Sequence, residues 1–220
     1  MSQQARITWR DGRVPVSDQF DDPYFSLEDG LEETRHVFLA GNDLPARFRD
    51  GFEVAELGFG TGLNFLVTWA AWEAAGCAGR FTFTSFEAFP MARADRAQSL
   101  AAFPDLAPYA AALTATPDLS AADLGPARLR VVTGDARVTL AQEKLSADAW
   151  FLDGFSPAKN PELWDETLMA EVARKTAPGG TFATYTAAGH VRRSLEAAGF
   201  AVERAPGFGR KRHMSRGIKR

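Results

Sequence analysis

Four acidic residues stand at the ends of segments whose apolar patterns predict buried strands. These strand-end acids are Glu56, Glu87, Asp135 and Asp153. In an open parallel sheet, ligands bind beyond the carboxyl ends of the strands. We therefore expect the four carboxylates to converge on one site. There they could hold hydroxyl, amino or ammonium groups, and one of them could guide or accept a proton.

The glycine-rich turn after the first strand separates two classes of cofactor. Residues 53–64 read EVAELGFGTGLN, so the glycines are spaced G-x-G-x-G. Dinucleotide sites use G-x-G-x-x-G and set a pyrophosphate on the helix N-terminus. Glu56 would repel a pyrophosphate but could hold the ammonium of an amino-acid-like ligand. S-adenosylmethionine, which has that ammonium and no phosphate, fits better than NAD. The alternative is an ordinary strand-to-helix turn of an α/β protein.

On this interpretation each strand-end acid has its own task. Glu56 faces the ammonium of the ligand, Glu87 the ribose hydroxyls and Asp135 the exocyclic amine of adenine. Asp153 is left for the reaction. Its loop, DGFSPAKNP, resembles the D/N-P-P-Y/F loop of enzymes that methylate amino nitrogens. In those enzymes an acid or amide and backbone carbonyls orient the amine, while an aromatic ring, here Phe155, packs near the methyl group and could stabilise a cationic centre.

Alternating strands and helices must position these residues. The patterns predict strands over 54–57, 80–88, 129–135, 149–153 and 181–186, with helices over 64–75, 91–102, 161–176 and 190–198. The helix at 161–176 is expected to have Asn160 as its N-cap and Pro161 at its first position. Segments 200–204 and 212–218 should close the sheet as an antiparallel pair. The predicted fold is α/β, a mostly parallel central sheet with helices on both faces.

We expect residues 1–220 to form a single domain. Residues 1–50 should be an N-terminal extension, with a hairpin around Asp11 and Gly12 and a helix at about 31–39, and residues 51–220 the Rossmann-like core. In segment 21–26, two aromatic residues follow two acids. Sequence alone does not decide between a packed loop and an aromatic lid over a pocket. Segment 103–126 predicts short surface helices without chemistry.

Composition excludes several classes of protein. The single cysteine rules out a disulfide framework and a multi-cysteine metal site, and the three histidines share no metal-binding spacing. We expect no metal, no membrane segment and a cytoplasmic location. The net charge of −3 means that a nucleic acid must meet a local basic patch. Bases crowd the C-terminus after Glu203, and they suit either a nucleic-acid backbone or a solvated sheet edge.

Seven motifs together resemble the methyltransferase half of the MnmC family of bacterial tRNA-modifying enzymes. They are DDPYFS (21–26), GLEETRHVFLAGN (30–42), ELGFGTGLNFL (56–66), SFEAFP (85–90), GDAR (134–137), DAWFLDGFSPAKNPELW (148–164) and GFGRKRHMSRG (207–217). The resemblance covers nearly the whole chain. The motif at 148–164 is long enough that chance similarity is not a serious alternative.

The resemblance implies a Rossmann-like class I methyltransferase that uses S-adenosylmethionine. Its substrate would be the 5-aminomethyl group of a (2-thio)uridine at the wobble position in the anticodon loop of tRNA, and its product 5-methylaminomethyl-2-thiouridine. The implied catalytic residues are Asp153 and Phe155. The implied cofactor contacts are Glu56, Gly58, Phe59, Gly60, Gly62, Asn64, Glu87, Asp135, Ala136 and Asp153. Tyr24 and Phe25 fall in a family motif that borders the pocket. We expect them to contact the substrate together with Pro157 and the basic residues Lys159, Arg210, Lys211 and Arg212.

The sequence departs from the bifunctional members of this family at its C-terminus. In them, GFGRKRxM leads into an FAD-dependent oxidase domain, whereas this sequence stops at Arg220 with no second glycine fingerprint. The expectation is a stand-alone methyltransferase of the MnmD type, functionally coupled to a separate enzyme that supplies the aminomethyl precursor. Two alternatives remain: methylation of another amine, small or protein-borne, and a non-catalytic module that binds tRNA or S-adenosylmethionine. Intact Asp153 and Phe155 argue against the second.

Overall fold

The computed structural model describes residues 4–26 and 29–220. Within these residues, strands and helices alternate along most of the chain, as the sequence patterns predict. In chain order they are β1 (Ile7–Arg10), β2 (Val14–Ser17), β3 (Asp22–Pro23), α1 (Gly30–Thr34), β4 (Phe52–Leu57), α2 (Leu63–Ala74), β5 (Phe81–Glu87), α3 (Arg93–Leu100), α4 (Ala107–Ala115), β6 (Ala122–Leu124), β7 (Ala127–Thr133), α5 (Ala136–Gln142), β8 (Ala147–Leu152), α6 (Glu166–Arg174), β9 (Thr176–Thr184), α7 (Gly189–Ala197), β10 (Phe200–Pro206) and β11 (His213–Lys219).

The central sheet has eight strands in the order β10-β11-β9-β8-β4-β5-β7-β6. β9, β8, β4, β5 and β7 run parallel to one another, β11 runs antiparallel between β9 and β10, and β6 is an antiparallel edge strand. The expectation of a mostly parallel sheet with an antiparallel C-terminal strand is confirmed. The chain leaves β4 towards β5 and later returns on its other side as β8, so the carboxyl end of β4 is the switch point where α/β sheets bind ligands.

Two apolar cores cover the two faces of the sheet. All six residues of β8 are buried, and they alternate between the cores: Phe151 joins the core under α2 and α4, whereas Trp150 and Leu152 join the core under α5, α6 and α7. A strand covered on both faces reads as a continuous apolar run, which is why AWFL predicts it. Leu57 pairs with Phe86 on one side and Leu152 on the other, so the strand ends are level.

The N-terminal residues form a separate three-stranded sheet, β1-β2-β3, whose first turn is made by Asp11 and Gly12 at positive φ, as predicted for this dipeptide. After α1 the chain stays helical through a π turn at Arg35–Leu39 and a 3₁₀ turn at Ala40–Asn42. The side chain of Asn42 then donates to the backbone oxygens of Phe38 and Trp150, which ties this helix to β8.

One local prediction was wrong, and a second was incomplete. Asn160 does not cap a helix at 161–176, because Pro161–Trp164 is a 3₁₀ turn and α6 begins at Glu166. Asp165 is the cap, since its carboxylate accepts from the backbone N–H groups of Thr167 and Leu168. Segment 103–126 contains short helices as predicted, a 3₁₀ turn at Pro104–Leu106 and α4, but it also contains the unpredicted β6, the edge strand that pairs with β7.

Candidate active site

A cavity of about 1030 Å³ lies at the carboxyl ends of the parallel strands. Glu87, Asp135 and Asp153 line it, so three of the four strand-end acids share one space. Segment 19–26 and the loop at 208–211 contribute further lining residues. The volume is at the upper end of the range of small-molecule sites, which is enough for a nucleoside cofactor and a second group beside it.

Two glycines of the turn after β4 let the backbone approach its neighbours closely. At Gly58, with φ +91°, a Cβ would lie 2.5 Å from the carbonyl oxygen of Asp153. At Gly60, with φ +52°, a Cβ would lie 3.0 Å from the ring of Tyr24. Gly62 faces Leu113 and Phe59 at the start of α2 and does not line the cavity. Phe59 is buried, and it lines the cavity.

The backbone N–H of Gly60 donates to Glu87 Oε2 at 2.8 Å, and that of Phe89 donates to Glu87 Oε1 at 2.8 Å. The turn is therefore closed onto a carboxylate, and this N–H does not point at a phosphate site. We call Gly58, Gly60, Asn64 and Glu87 the glycine-turn wall of the cavity.

Asn64 is the centre of a buried hydrogen-bond network. Its Nδ2 donates to Glu56 Oε1 at 2.8 Å and to Asp153 Oδ2 at 2.7 Å, and its Oδ1 accepts from Thr34 Oγ1 at 3.1 Å. Ser85 Oγ donates to Glu56 Oε2 at 2.6 Å. Glu56 is 1% exposed and does not line the cavity. Glu56, predicted to contact a ligand ammonium, thus lies behind Asn64 and accepts a hydrogen bond from its side-chain amide.

Burial changes the acidity of three carboxyl groups. It raises the pKa of Glu56 well above its usual range, although Ser85 and Asn64 donate to this carboxylate. It also raises the pKa of Glu87, against the opposing effect of the Gly60 N–H. Burial raises the pKa of Asp153 to about 7, with the Asn64 hydrogen bond acting in the opposite direction. A carboxylate with this pKa can take up and release a proton near neutral pH.

Asp135 is engaged within the protein. It caps α5 by accepting from the backbone N–H of Arg137 at 2.9 Å, and it pairs with the Arg137 guanidinium at 2.6 Å. This pairing lowers the pKa of Asp135. Asp135 and its neighbour Ala136 both line the cavity, but the carboxylate already holds an arginine and a helix N-terminus. Asp135 was predicted to contact the exocyclic amine of adenine, and the sequence did not indicate that its carboxylate also pairs with Arg137.

Aromatic side chains form a second wall of the cavity. The ring of Phe155 stacks on Phe20 at 4.9 Å and meets Tyr24 edge-on at 5.0 Å, and Phe20 meets Phe89 at 5.8 Å. We call these four residues the aromatic wall. Phe25 also lines the cavity and packs on Phe103. Segment 19–26 therefore borders the cavity, as the lid alternative predicts.

Hydrogen bonds fix the loop after β8 from both sides. Tyr185 Oη donates to the carbonyl oxygen of Gly154 at 2.7 Å, and Trp164 Nε1 donates to that of Phe155 at 2.8 Å. On the other side, the backbone N–H of Ser156 donates to Asp22 Oδ2 at 2.9 Å. The carbonyl oxygens of Gly154 and Phe155 thus anchor the loop to the two aromatic side chains.

Lys159 lies in the same loop and pairs with Asp21 and Asp22, at 3.2 and 3.6 Å, so the acid pair of segment 21–26 holds a lysine. Pro157 also belongs to this loop but does not line the cavity. The Lys159 side chain reaches the cavity with its charge already paired.

The basic residues of the C-terminus do not form one patch. Because β11 is antiparallel to β9, it begins at His213 beside the carboxyl ends of the parallel strands, where the cavity lies. It finishes at Lys219 beside their amino ends. Arg216 pairs with Glu203 and Asp43, and Lys219 donates to a backbone oxygen of β9. Three arginines remain close to His213 at the cavity edge, where their charge adds to burial in lowering the pKa of this histidine. We call Arg192, Arg204 and Arg212 the arginine patch.

Lys211 and Arg210 line the cavity. Lys211 Nζ lies 2.7 Å from Glu33 Oε1 and 4.1 Å from the centroid of the Tyr185 ring.

Residues that line or support this site but were not identified from the sequence include Phe20, Glu33, Thr34, Ser85, Phe89 and Tyr185. Ser85 and Tyr185 lie on or just after strands beside the acids, so the strand-end rule could have suggested them. Phe20, Glu33 and Thr34 reach the site through the tertiary fold, without a local signal.

Across residues 4–26 and 29–220, no helix is long and apolar enough to cross a bilayer. The same residues contain no group of three or more histidine, cysteine or acidic side chains that could hold a metal ion.

A model of the S-adenosyl-L-methionine-dependent methyltransferase family matches residues 106–220. The bifunctional protein MnmC of tRNA 5-methylaminomethyl-2-thiouridine biosynthesis from Chromobacterium violaceum is 47% identical over 97% of this chain and 34% of its own length. Its counterpart from Pseudomonas aeruginosa is 47% identical over 98% of this chain and 35% of its own length. The chain thus spans about a third of the curated relatives it matches.

Solved structures agree with this similarity. The crystal structure of MnmC2 from Aquifex aeolicus superposes with a TM-score of 0.77 and 26% identity, covering 98% of this chain and 70% of that one. Spermidine synthase in complex with a transition-state analogue superposes with a TM-score of 0.58 at 13% identity, over 94% of this chain and 65% of that one, which shows a shared fold only.

Proposed function

We propose that this chain, which belongs to the S-adenosyl-L-methionine-dependent methyltransferase family, N-methylates the 5-aminomethyl group of a (2-thio)uridine at the tRNA wobble position. The product would be the 5-methylaminomethyl-2-thiouridine named for its relatives. The observation that carries the proposal is the position of Asp153. It stands on the cavity, is held by Asn64, and begins the loop that bears Phe155 of the aromatic wall.

The chemistry of the cavity fits the cofactor of the family. S-adenosylmethionine supplies an electrophilic methyl group on a sulfonium centre. The glycine-turn wall presents the carboxylate of Glu87 and closes the Gly60 N–H onto it, an arrangement suited to ribose hydroxyls and unsuited to a pyrophosphate. Aromatic rings near a positive centre stabilise it through their faces. We assign Gly58, Phe59, Gly60, Asn64, Glu87, Asp135, Ala136 and Asp153 to the cofactor, with Glu56 and Gly62 supporting them from behind.

Asp153 and the aromatic wall prepare the amine for attack. An alkyl amine is protonated at neutral pH and has no lone pair to donate, so it must first lose a proton. Asp153, whose pKa is about 7, accepts that proton at its carboxylate. Phe155, Phe20 and Tyr24 exclude water and restrict the approach of the substrate. Alignment of this kind can contribute about 7–11 kcal/mol of the barrier.

The arginine patch suits the nucleic-acid part of the substrate. Within the described part of the chain, none of its three arginines forms an ion pair with an acidic side chain, so their charge is available for phosphates. Phosphate contacts position a nucleic acid, while the reacting base enters a pocket away from its stack. Tyr24, Phe25, Pro157, Lys159, Arg210 and Lys211 complete the proposed substrate side.

The proposed substrate also has consequences for the setting of the enzyme. A tRNA substrate places the reaction in the cytoplasm. The 5-aminomethyl precursor has to be made by another activity, to which we propose that this reaction is functionally coupled.

The test is methyl transfer from labelled S-adenosylmethionine to total tRNA from cells that lack this activity, followed by nucleoside mass spectrometry. We expect a mass gain of one methyl on 5-aminomethyluridines. Asp153→Ala should lose the product, whereas the control Asp105→Ala, at an exposed surface position, should retain it. Cofactor binding without labelling of tRNA would overturn the proposed substrate and leave small or protein-borne amines to be tested in the same assay.

A further inference from the structure

The ammonium of Lys211 occupies a small subsite inside the cavity. Its Nζ is 2.7 Å from Glu33 Oε1 and 4.1 Å from the centroid of the Tyr185 ring. A carboxylate together with an aromatic face is the arrangement that recognises alkylammonium groups. Glu33, Tyr185 and Asp153 all line the cavity. The charge of Lys211 lowers the pKa of Asp153 and that of Glu33 raises it, so both side chains interact electrostatically with the proposed proton acceptor.

The subsite is rigid independently of Lys211. Tyr185 is held by its hydroxyl, which donates to Gly154, and by an edge-on contact with Trp164 at 6.4 Å. Glu33 projects from α1, and its side chain is only 13% exposed. A carboxylate that is largely removed from water needs a cation beside it, because leaving it unpaired is costly.

Lys211, by contrast, can leave the subsite easily. Its side chain is 46% exposed, and it extends from a turn in which the backbone N–H of Lys211 donates to Phe208 and that of Gly207 donates to Arg212. The backbone is therefore fixed while the four-carbon stem is free to swing. Its ammonium can move into solvent without any change in the fold.

We propose that Glu33 and Tyr185 form the binding subsite for the ammonium of the amine substrate, and that Lys211 fills this subsite until the substrate displaces it. The substrate would arrive protonated, exchange places with the Lys211 ammonium, and then pass one proton to Asp153. In that step an N–H bond breaks, an O–H bond forms on Asp153, and the nitrogen keeps its lone pair. The identity of the substrate amine rests on the proposed function, whereas the subsite itself does not.

Binding of benzylammonium, an aromatic ring bearing a CH₂NH₃⁺ group, tests the subsite without any methyl transfer. Calorimetry would compare the wild type with Lys211→Ala, Lys211→Ala/Glu33→Gln, and the control Lys144→Ala, an exposed lysine at the opposite edge of the sheet. If Lys211 occupies the subsite for most of the time, its removal should tighten binding at least about fivefold. Adding Glu33→Gln should reverse the gain, and Lys144→Ala should change nothing.

A second series repeats the titrations with saturating S-adenosylhomocysteine, which carries the α-ammonium of the cofactor. We expect benzylammonium to bind as well as before, because the two ammonium groups use different places. Competition would overturn the assignment to the substrate and give the subsite to the cofactor. Unchanged affinity in Lys211→Ala would overturn the proposal altogether, provided that the variant shows the urea midpoint of the wild type. Because these titrations contain no tRNA and measure no methyl transfer, they test the subsite independently of the methylation assay.

Discussion

The glycine-turn wall of the cavity is held by buried hydrogen bonds, whereas the aromatic wall is held by ring contacts and by ion pairs that are partly exposed. The first wall comes from one continuous stretch, 58–64, together with the end of the next strand. The second combines segment 20–24, the end of β5 and the loop after β8. Exposed ion pairs contribute little to stability, while unsatisfied buried groups are costly.

This difference teaches how the site divides its work. A wall saturated with buried hydrogen bonds has one arrangement, which suits a ligand that is the same in every turnover. A wall made of loops, rings and exposed pairs can adjust, which suits a large and variable substrate. The division predicts that changes in the glycine-turn wall act on stability and reaction together, and that changes beyond the aromatic wall act on binding alone.

The largest effect is expected at Asp153, where the two walls meet. Because the carboxylate must be unprotonated to accept a proton and burial raises its pKa to about 7, kcat/KM for tRNA should rise about tenfold per pH unit below 7 and then level off. Asp153→Asn should lower kcat/KM by roughly 10²–10⁴ and remove this inflection. Methyl-transfer rates between pH 5.5 and 8.5 measure both, and a flat wild-type profile would contradict the role of base.

The next effect concerns the close approach at Gly58. Alanine there would have to adopt φ +91° with its Cβ 2.5 Å from the Asp153 carbonyl oxygen, so we expect a loss of about 2–5 kcal/mol in the free energy of unfolding. Gly12→Ala is the matched control. It has φ +66° and nothing within 4 Å, and should lose only about 1–2 kcal/mol. Urea denaturation compares the two. Equal losses would mean that the approach of the two loops is unimportant.

Asn64→Ala should follow, because it leaves Glu56 and Asp153 without their shared donor. We expect a loss of about 2–3 kcal/mol at pH 8. The Asn64 hydrogen bond lowers the folded-state pKa of both acids, so the variant holds their protons up to a higher pH than the wild type does. Extra protons bound in the folded state mean that stability falls further as pH rises. The loss should therefore shrink at pH 5.

Urea midpoints at both pH values test this pH dependence. Thr34→Val, which removes a single hydrogen bond to Asn64, should cost about 1 kcal/mol at either pH. A loss in Asn64→Ala that does not change with pH would show that the two carboxyl groups are not coupled through the amide.

The same two walls explain how far sequence could predict this molecule. The strands and the glycine turn follow from local sequence patterns, and the convergence of Glu87 and Asp153 follows from the rule for strand ends. Local patterns and the strand-end rule do not depend on which distant residues pack against a segment. The position of a strand end does not say which neighbour takes its carboxylate. The carboxylate of Glu56 accepts hydrogen bonds from Asn64 and Ser85, and that of Asp135 forms an ion pair with Arg137. Both were predicted to be free for a ligand.

The aromatic wall lies beyond local reasoning for a related reason. Phe20 meets Phe155 across 135 positions of sequence, and no periodicity links the two. The helix cap shows the same limit at short range. Asn160 and Asp165 both suit an N-cap, and the bond from Trp164 to Phe155 holds the intervening turn against the site loop, so that the helix begins after Asp165.

The smallest expected effect lies outside both walls, in the arginine patch. If Arg192, Arg204 and Arg212 contact phosphates, each change to alanine should weaken tRNA binding by about 1 kcal/mol. It should also make the plot of log K against log salt shallower by about 0.7–0.9, the number expected for one phosphate contact. Arg128→Ala, an exposed arginine of β7, is the control. Filter binding at several salt concentrations measures both quantities. A weakened affinity with an unchanged slope would mean that these arginines shape the protein surface and do not contact phosphates, and the variable side of the site would then have to recognise tRNA by other residues.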